Sequence, residues 1–265
     1  MAADRLTFRR GLRLVRVDWV FTMKELSHSS FFILVGALQP VIFASIAFFM
    51  FRAGQRPGTL LYAALGAGLM GIWSSTLFGA GGMIQWERFQ GTLEPLLVAP
   101  RPYVLTVTGA GLGTSTVGLY SLSATLIWGW VFFGIPLEVE SPFLFALSIP
   151  VTVIGLGLLG LVLASTFVLY RHANALSNLL EYPVWLITGL LVPVSFLPGW
   201  VEPLGWVLAP TWGMRAIRGA ALGGDDPVFA IAMSLVLSVA YLFIGAHFLR
   251  YFERLARERA TLALA

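Results

Sequence analysis

The chain has 265 residues, of which 58% are hydrophobic and only 11% are charged, and its mean hydropathy is +0.84. A soluble domain has roughly 25% charged residues, so this composition excludes an ordinary water-soluble protein and indicates a membrane protein. Cysteine is absent, which excludes disulfides, a thiolate nucleophile and a cysteine-ligated metal. The net charge is +4, and because the basic residues lie beside apolar runs, membrane topology explains them better than nucleic-acid binding.

Residues 1–28 predict an amphipathic helix that lies in the membrane interface. Arg9, Arg13 and Arg16 occupy one face. Apolar residues recur at steps of three and four on another face, namely Phe8, Leu12, Val15, Trp19, Met23 and Leu26. Such a helix would turn its apolar side toward the bilayer and its arginines toward anionic lipid. The alternative is a basic, poorly ordered tail that only sets topology.

Six apolar runs follow, and a bilayer crossing needs about 20 apolar residues. The fifth run is the weakest, because it contains Glu181 and the prolines Pro183 and Pro193, with Pro198 at its edge. The third and fourth exceed 20 residues, which predicts a tilt, a kink or an extension beyond the bilayer. The six predicted spans are about 31–51, 60–84, 103–133, 143–170, 176–197 and 228–249. We therefore predict a transmembrane domain over residues 29–255 and a cytoplasmic tail over 256–265.

The basic residues predict the orientation of these spans. With six spans and the N-terminus inside, all but four of the 17 basic residues lie on the inner side. The four exceptions are Arg52, Arg56, Arg215 and Arg218. The positive-inside rule then places both termini inside. The fold class predicted is an all-α membrane protein with six transmembrane helices, multi-pass in a bacterial plasma (inner) membrane.

The inner loop between spans two and three, residues 85–102, predicts a short amphipathic helix at the cytoplasmic surface. Leu93, Leu96 and Leu97 share one side of a helical wheel, and Pro100 and Pro102 prevent its continuation. An ordinary loop that only helps to set topology is the alternative interpretation.

This loop resembles the E-R…G-T-L-E-x-L-x-x-x-P signature of type-2 ATP-binding-cassette (ABC) exporter permeases, a family that includes drug, polysaccharide and nodulation-factor exporter subunits. The matching residues are Glu87, Arg88, Gly91, Thr92, Leu93, Glu94, Leu97 and Pro100. The N-terminal amphipathic helix, the six-span layout and the long outer segment before the last span are similar to the family as well.

The resemblance implies that the loop is a coupling helix, which docks in a cleft of a separate cytoplasmic ATPase. Glu87 and Arg88 would make polar contacts there, and Gly91 would allow close approach of the backbone. Leu93 and Leu97 would pack at the same interface. Two copies of the ATPase would bind ATP and Mg, and the permease would pair with a second copy of itself or with a sister permease.

The outer segment 198–227 predicts two short helices that re-enter the outer leaflet, separated at Pro210. A surface loop with Trp200 and Trp206 as interface anchors is the alternative. On the first interpretation the segment walls the outer end of the substrate path. Arg215 and Arg218 would contact an anionic substrate or lipid phosphates, and lipid is favoured.

Glu181 is the one acidic candidate within a span, and ionisable groups in spans are functional candidates by default. We weigh equally a substrate or gating role and an ion pair with Arg171 or another basic residue at the inner rim. The three histidines are isolated in sequence, so no metal site and no catalytic residue is predicted.

The chain lacks a phosphate-binding loop, which requires a lysine after glycine. The only lysine, Lys24, lies in FTMKELS, which has no glycine, so no cofactor is expected in this chain and ATP must be bound by another chain. In GAGLGTS, small residues four apart instead favour close helix–helix packing, namely Gly109 with Gly113 and Gly111 with Ser115.

The function predicted is that of a non-enzymatic permease subunit in an ATP-driven exporter of an amphipathic substrate, such as a drug, lipid or lipid-linked glycan. An ion-coupled secondary transporter or channel is the alternative, for which Glu181 is the lone intramembrane carboxylate. An integral-membrane enzyme is a further alternative, but its convergent His, Asp or Glu residues are not evident.

Overall fold

The computed structural model describes residues 8–52, 57–99, 101–167 and 173–259, and this part of the chain is helical and without strands. Its α-helices are α1 (Phe8–His28), α2 (Ser30–Arg52), α3 (Pro57–Ser75), α4 (Met83–Gln90), α5 (Leu93–Val98), α6 (Tyr103–Val117), α7 (Leu119–Phe133), α8 (Pro142–Phe167), α9 (Ala173–Ile187), α10 (Glu202–Trp206), α11 (Ala209–Leu222) and α12 (Pro227–Arg259). The predicted all-α class is confirmed.

Four helical segments in the described ranges are long and apolar enough to cross a bilayer, namely Leu60–Gln90, Tyr103–Phe133, Pro142–Phe167 and Pro227–Arg254. A fifth candidate results if α1 and the N-terminal part of α2, which meet at 87°, count as one bent unit. Helix α2 coincides with the first predicted span, whereas α9 has 15 residues and rises only about 22 Å. The count of six transmembrane spans therefore remains a prediction.

The helical segment that corresponds to the second predicted span runs further along the chain than the sequence predicted. A π-helical turn over Thr76–Ala80 joins α3 to α4, and the helical segment continues to Gln90 instead of ending near residue 84. The hydroxyl of Thr76 bonds to the Ile72 carbonyl at 2.9 Å and to the Ser115 hydroxyl at 2.8 Å. The first residues of the predicted loop are therefore the last turns of a helix.

Helix α6 packs on two neighbours through its small residues. A Cβ at Gly109 would lie 2.7 Å from Asp18 Cβ, and one at Gly113 would lie 2.7 Å from Thr22 Cβ. On another face, a Cβ at Gly111 would lie 2.5 Å from the carbonyl oxygen of Gly157 in α8. Glycine at these positions therefore allows contact with α1 and α8, which confirms the predicted packing role of the segment.

Helix α1 runs alongside α6 in the same direction. Successive turns of α1 meet successive turns of α6, starting with Gly11 beside Leu105. The contact ends at the first turn of α7, where the Ser27 and Tyr120 hydroxyls bond at 3.1 Å. Midway, Trp19 Nε1 donates to Thr116 Oγ1 at 3.0 Å. Part of the apolar stripe of α1 thus packs on protein, and the tilt of α1 in a membrane follows that of α6.

The outer segment contains two helices, α10 and α11, which separate at Val207 and Leu208, and Pro210 is the second residue of α11. Their re-entry into the outer leaflet stays a prediction. Helix α11 is nearly all buried, and it packs against α3, α8 and α12. The hydroxyl of Tyr241 in α12 fixes its start, accepting from Ala209 N at 3.0 Å and donating to Val207 O at 2.5 Å. Helix α11 is therefore a core element of the bundle.

Candidate coupling surface and the buried polar groups

The segment between α4 and α6 reverses direction at Gly91. This residue adopts a left-handed conformation with φ of 74°. Its N–H bonds to Arg88 O at 3.2 Å, and the N–H of Thr92 bonds to Glu87 O at 2.9 Å. These two bonds form the Schellman motif that ends many helices, and glycine is favoured there because it has no Cβ. Nothing in the described chain lies within 4 Å of where a Cβ of Gly91 would be.

Helix α5 has an inward face formed by Leu93 and Leu97. The two residues are four apart and so share one side of the helix, and both are buried, Leu97 to 1% exposure. They belong to an apolar cluster with buried residues of four other helices, namely Ile84, Tyr103, Val104, Val107, Leu161, Ala164 and Leu249. The two leucines thus hold α5 to α4, α6, α8 and α12 of the same chain.

The opposite face of this segment is exposed and partly apolar. Phe89 is 83% exposed and Val98 is 78% exposed. Trp86 is exposed as well, and its ring stacks on that of Phe89 with centroids 6.1 Å apart. The exposed set, which we call the α4–α5 surface, is Trp86, Phe89, Gln90, Gly91, Thr92, Glu94, Pro95 and Val98. The family signature does not include Trp86 and Phe89, although both lie within residues 85–102, for which the sequence predicts an amphipathic helix.

Glu87 points toward the bundle and Arg88 is half-exposed. The Glu87 carboxylate accepts a hydrogen bond from the buried Tyr103 hydroxyl, with Oε2 at 3.2 Å. Nearby, Arg101 pairs with Asp18 of α1 at 3.2 Å. These bonds attach both ends of the α4–α6 connection to the helices beside it.

Arg218 of α11 is a buried cation with carbonyl partners. It is 7% exposed, and its guanidinium donates to Gly189 O at 2.7 Å, Tyr62 O at 3.0 Å and Leu190 O at 3.1 Å. Its Cζ also lies 3.2 Å from the centroid of the Tyr62 ring. The structure gives Arg218 partners within the protein, whereas the sequence favoured lipid phosphates.

The other candidates of the outer segment lie at the surface. Arg215 pairs with Glu202 at 3.4 Å, and its Cζ lies 5.2 Å from the centroid of the Trp212 ring. Trp200 and Trp206 are exposed, which suits side chains that anchor a protein at the membrane interface.

Glu181 of α9 is buried and accepts a hydrogen bond from Ser74 of α3 at 2.6 Å. One turn before it lies the buried Ser177, and one turn after it the buried Trp185, and neither side-chain polar atom has a hydrogen-bond partner among the described residues. The alternative partner Arg171 lies outside the described residues. The bond between Glu181 and Ser74 therefore connects α9 to α3.

Comparison with known proteins identifies one family. A sequence model of the family described as ABC-2 type transporter matches residues 15–222, which is most of the chain. The matched range includes the α4–α5 surface, Glu181 and Arg218. No curated protein matches the chain.

Proposed function

Because the chain belongs to the ABC-2 type transporter family, we propose that it is the membrane-spanning permease subunit of an ATP-driven exporter. Permeases of this family are generally non-catalytic and work with an ABC ATPase. The proposal includes six transmembrane spans with both termini inside, in a bacterial plasma membrane. The six apolar runs and the distribution of the basic residues support this arrangement.

The observation that best supports ATP coupling is the two-faced α4–α5 segment. Leu93 and Leu97 fasten α5 to the bundle, while Phe89, Glu94 and Val98 remain exposed on the other side. An exposed aromatic and apolar patch with charged neighbours has the composition of a protein–protein interface. We assign this surface to contact with the ATPase, with Arg88, Gly91 and Thr92 at its edge.

The inward leucines suggest how movement would reach the spans. A displacement of α5 must displace the cluster around Leu93 and Leu97, because a close-packed interior transmits strain. That cluster contains residues of α6, α8 and α12. Glu87 contributes through Tyr103, at the first residue of α6, and not through free exposure to the partner. ATP-driven closure of the partner would therefore move three spans together.

The proposed assembly contains two permeases and two ATPase copies, which bind ATP and Mg. Six helices form a thin bundle, so a substrate path between two permeases, either identical or sister subunits, is the natural arrangement. Aromatic and small side chains dominate the spans and acidic residues are scarce in them, which suits an amphipathic drug, lipid or lipid-linked glycan.

The remaining candidate residues receive structural roles in this proposal. Glu181 connects α9 to α3, and Arg218 connects α11 to α3 and to the turn after α9. Trp200 and Trp206 anchor the outer segment at the interface, beside the ion pair of Arg215. The outer end of the path is then walled by α10 and α11.

The test is reconstitution of the chain with an ABC ATPase of the same genome in lipid vesicles. We expect the two to co-purify, and we expect ATP-dependent movement of a fluorescent phospholipid across the bilayer. Joint replacement of Glu87 and Arg88 by Ala should leave ATP hydrolysis but reduce this movement. Movement by the permease alone, driven by an ion gradient without ATP, would instead support the secondary-transporter alternative.

A further inference from the structure

A large groove shares no lining residue with the α4–α5 surface. It is formed by the first turns of α1, the start of α6 and the C-terminal half of α12, and its volume is about 1000 Å³. This volume is at the upper end of the roughly 300–1,000 Å³ typical of ligand sites. Gly11, Leu105 and Phe243 are among the residues that line it.

The groove is apolar along its length and cationic at one end. Leu242, Phe243 and Ile244 of α12 are exposed in the apolar part. Two turns further along the helix, His247 and Arg250 line the groove and are also exposed. The axial distance from Leu242 to Arg250 is about 12 Å at 1.5 Å per residue. Among the described residues lining the groove there is no Asp or Glu.

The cationic end coincides with the end of a candidate membrane span. The apolar segment of α12 that could cross a bilayer ends at Arg254, so Arg250 lies where hydrocarbon gives way to headgroups. Arg9 and Arg13 of α1 are exposed on the helix that forms the opposite wall. A ligand that fits must combine an extended apolar part with a terminal negative charge.

We propose that this groove binds an anionic phospholipid of the inner leaflet, with an acyl chain along α12 and the phosphate at Arg250. Apolar burial supplies affinity for any lipid chain, whereas the basic end selects a net negative headgroup. The lipid is placed in the inner leaflet because the proposed function has both termini inside. The binding itself requires neither transport nor the ATPase, so its test is independent of that function.

The test uses the purified full-length chain in detergent, with phosphatidylglycerol and phosphatidylcholine added in turn and lipid retention measured by native mass spectrometry. We expect preferential retention of phosphatidylglycerol. Arg250→Ala should weaken it about fivefold, the change that corresponds to about 1 kcal/mol per basic residue at a membrane surface. Lys24→Ala removes an exposed charge from α1 away from the groove and should leave retention unchanged.

The apolar part is tested by filling it at Gly11. The nearest atom to a Cβ there is Leu105 Cδ1 at 4.0 Å, so Gly11→Ala fits and is the matched control. Gly11→Leu extends into the groove, and because Ala and Leu are both good helix formers the two variants should keep α1 intact. We expect Gly11→Leu to lose phosphatidylglycerol retention and Gly11→Ala to keep it.

A photoreactive residue in place of Phe243 identifies the occupant in vesicles that contain both lipids. A crosslink to phosphatidylglycerol is expected. Equal retention of phosphatidylcholine would overturn the proposal, since the groove would then hold unselective annular lipid. A crosslink to another segment of the protein or to a second copy would overturn it too. So would unchanged retention of phosphatidylglycerol by the Gly11→Leu variant.

Discussion

The Tyr103 hydroxyl donates a hydrogen bond to Glu87 Oε2 at 3.2 Å, which joins the first residue of α6 to the last full turn of α4. Tyr103 is buried and Glu87 is half-buried, so water competes little for the bond. The residues between them include α5 and its two inward leucines. This bond therefore closes the base of the segment that presents the α4–α5 surface.

The first prediction concerns this bond. Tyr103→Phe keeps the ring in its cavity but leaves the Glu87 carboxylate without its donor. A hydrogen bond to a charged group contributes about 1.5–3 kcal/mol, and because Glu87 is only half-buried we expect the free energy of unfolding to fall by about 1–2 kcal/mol in a denaturation measurement. Tyr120→Phe is the control, because its hydroxyl bonds with Ser27 at an exposed position. If Tyr103→Phe and Tyr120→Phe lowered the free energy of unfolding equally, the bond between Tyr103 and Glu87 would contribute no more than an exposed one.

The second prediction concerns the turn at Gly91. Alanine at a positive φ is strained by about 1–2 kcal/mol, so Gly91→Ala should loosen the α4–α5 connection and reduce ATP-coupled transport several-fold. Gly224→Ala is matched, since Gly224 also has a positive φ with nothing within 4 Å of its would-be Cβ, and it lies elsewhere in the chain. ATP-driven transport of both variants is measured in vesicles. If Gly224→Ala lost coupling while Gly91→Ala kept it, the coupling role of the turn at Gly91 would be contradicted.

The third prediction concerns the contact of α1 with α6. A leucine at Gly113 would clash with Thr22, whose Cβ lies 2.7 Å from the would-be Cβ. We expect Gly113→Leu to separate the helices and lower the melting temperature by several degrees, because overpacking costs about 1–3 kcal/mol. Gly36→Leu in α2 has nothing within 4 Å and should melt like the parent protein. A melting temperature unchanged in Gly113→Leu would mean that α1 does not pack there.

The fourth prediction compares two arginines of α11. Arg218→Ala removes the guanidinium donors of three carbonyl oxygens in a buried site, and we expect a loss of about 3–5 kcal/mol in unfolding free energy or failure to fold. Arg215→Ala breaks a half-exposed ion pair with Glu202, which is worth about 0–1 kcal/mol. Arg218→Lys keeps the charge but not the planar fork, so it should be intermediate. Similar melting curves for Arg218→Ala and Arg215→Ala would show that the buried arginine contributes no more to stability than the half-exposed one.

Periodicity and small-residue spacing predicted much of the fold. The steps of three and four in α1 and the glycine pair on α6 correspond to a helix and to contacts in the structure. The outer segment divides at Val207 and Leu208, just before Pro210, which is the second residue of α11. Helix ends were less predictable. The helix continues through Gln90, because the left-handed turn at Gly91, and not the charge of Glu87 and Arg88, ends it.

Side-chain partners distant in sequence were not predictable from local patterns. Arg218 has the position of a surface arginine one helical turn after Arg215, yet its partners come from α3 and from the turn after α9. Similarly, Leu93 and Leu97 were expected at a partner interface, a role that stays untested, and the structure buries them in the chain's own core. Sequence spacing gives the shared face of a helix, but only tertiary packing determines which face is covered.

The last prediction concerns Phe89, which the structure leaves 83% exposed on the α4–α5 surface. If this surface binds the ATPase, Phe89 has the properties of an interface hot spot, since aromatic residues dominate such sites. Phe89→Ala should weaken association of the purified permease with its ATPase about tenfold or more, measured by titration in nanodiscs. Because the ring makes little contact within the chain, the melting temperature of the permease alone should stay unchanged.

Phe143 provides the matched control for this prediction, because it is 78% exposed but lies at the start of α8, outside the α4–α5 surface. Phe143→Ala removes a ring of the same size and exposure, so any effect of general surface hydrophobicity appears equally in both variants. Weaker binding in Phe89→Ala alone would locate the contact at the α4–α5 surface. If the parent permease, Phe89→Ala and Phe143→Ala bound the ATPase with equal affinity, the α4–α5 surface would not be the ATPase contact. Trp86 and Phe89 would then be membrane-interface anchors.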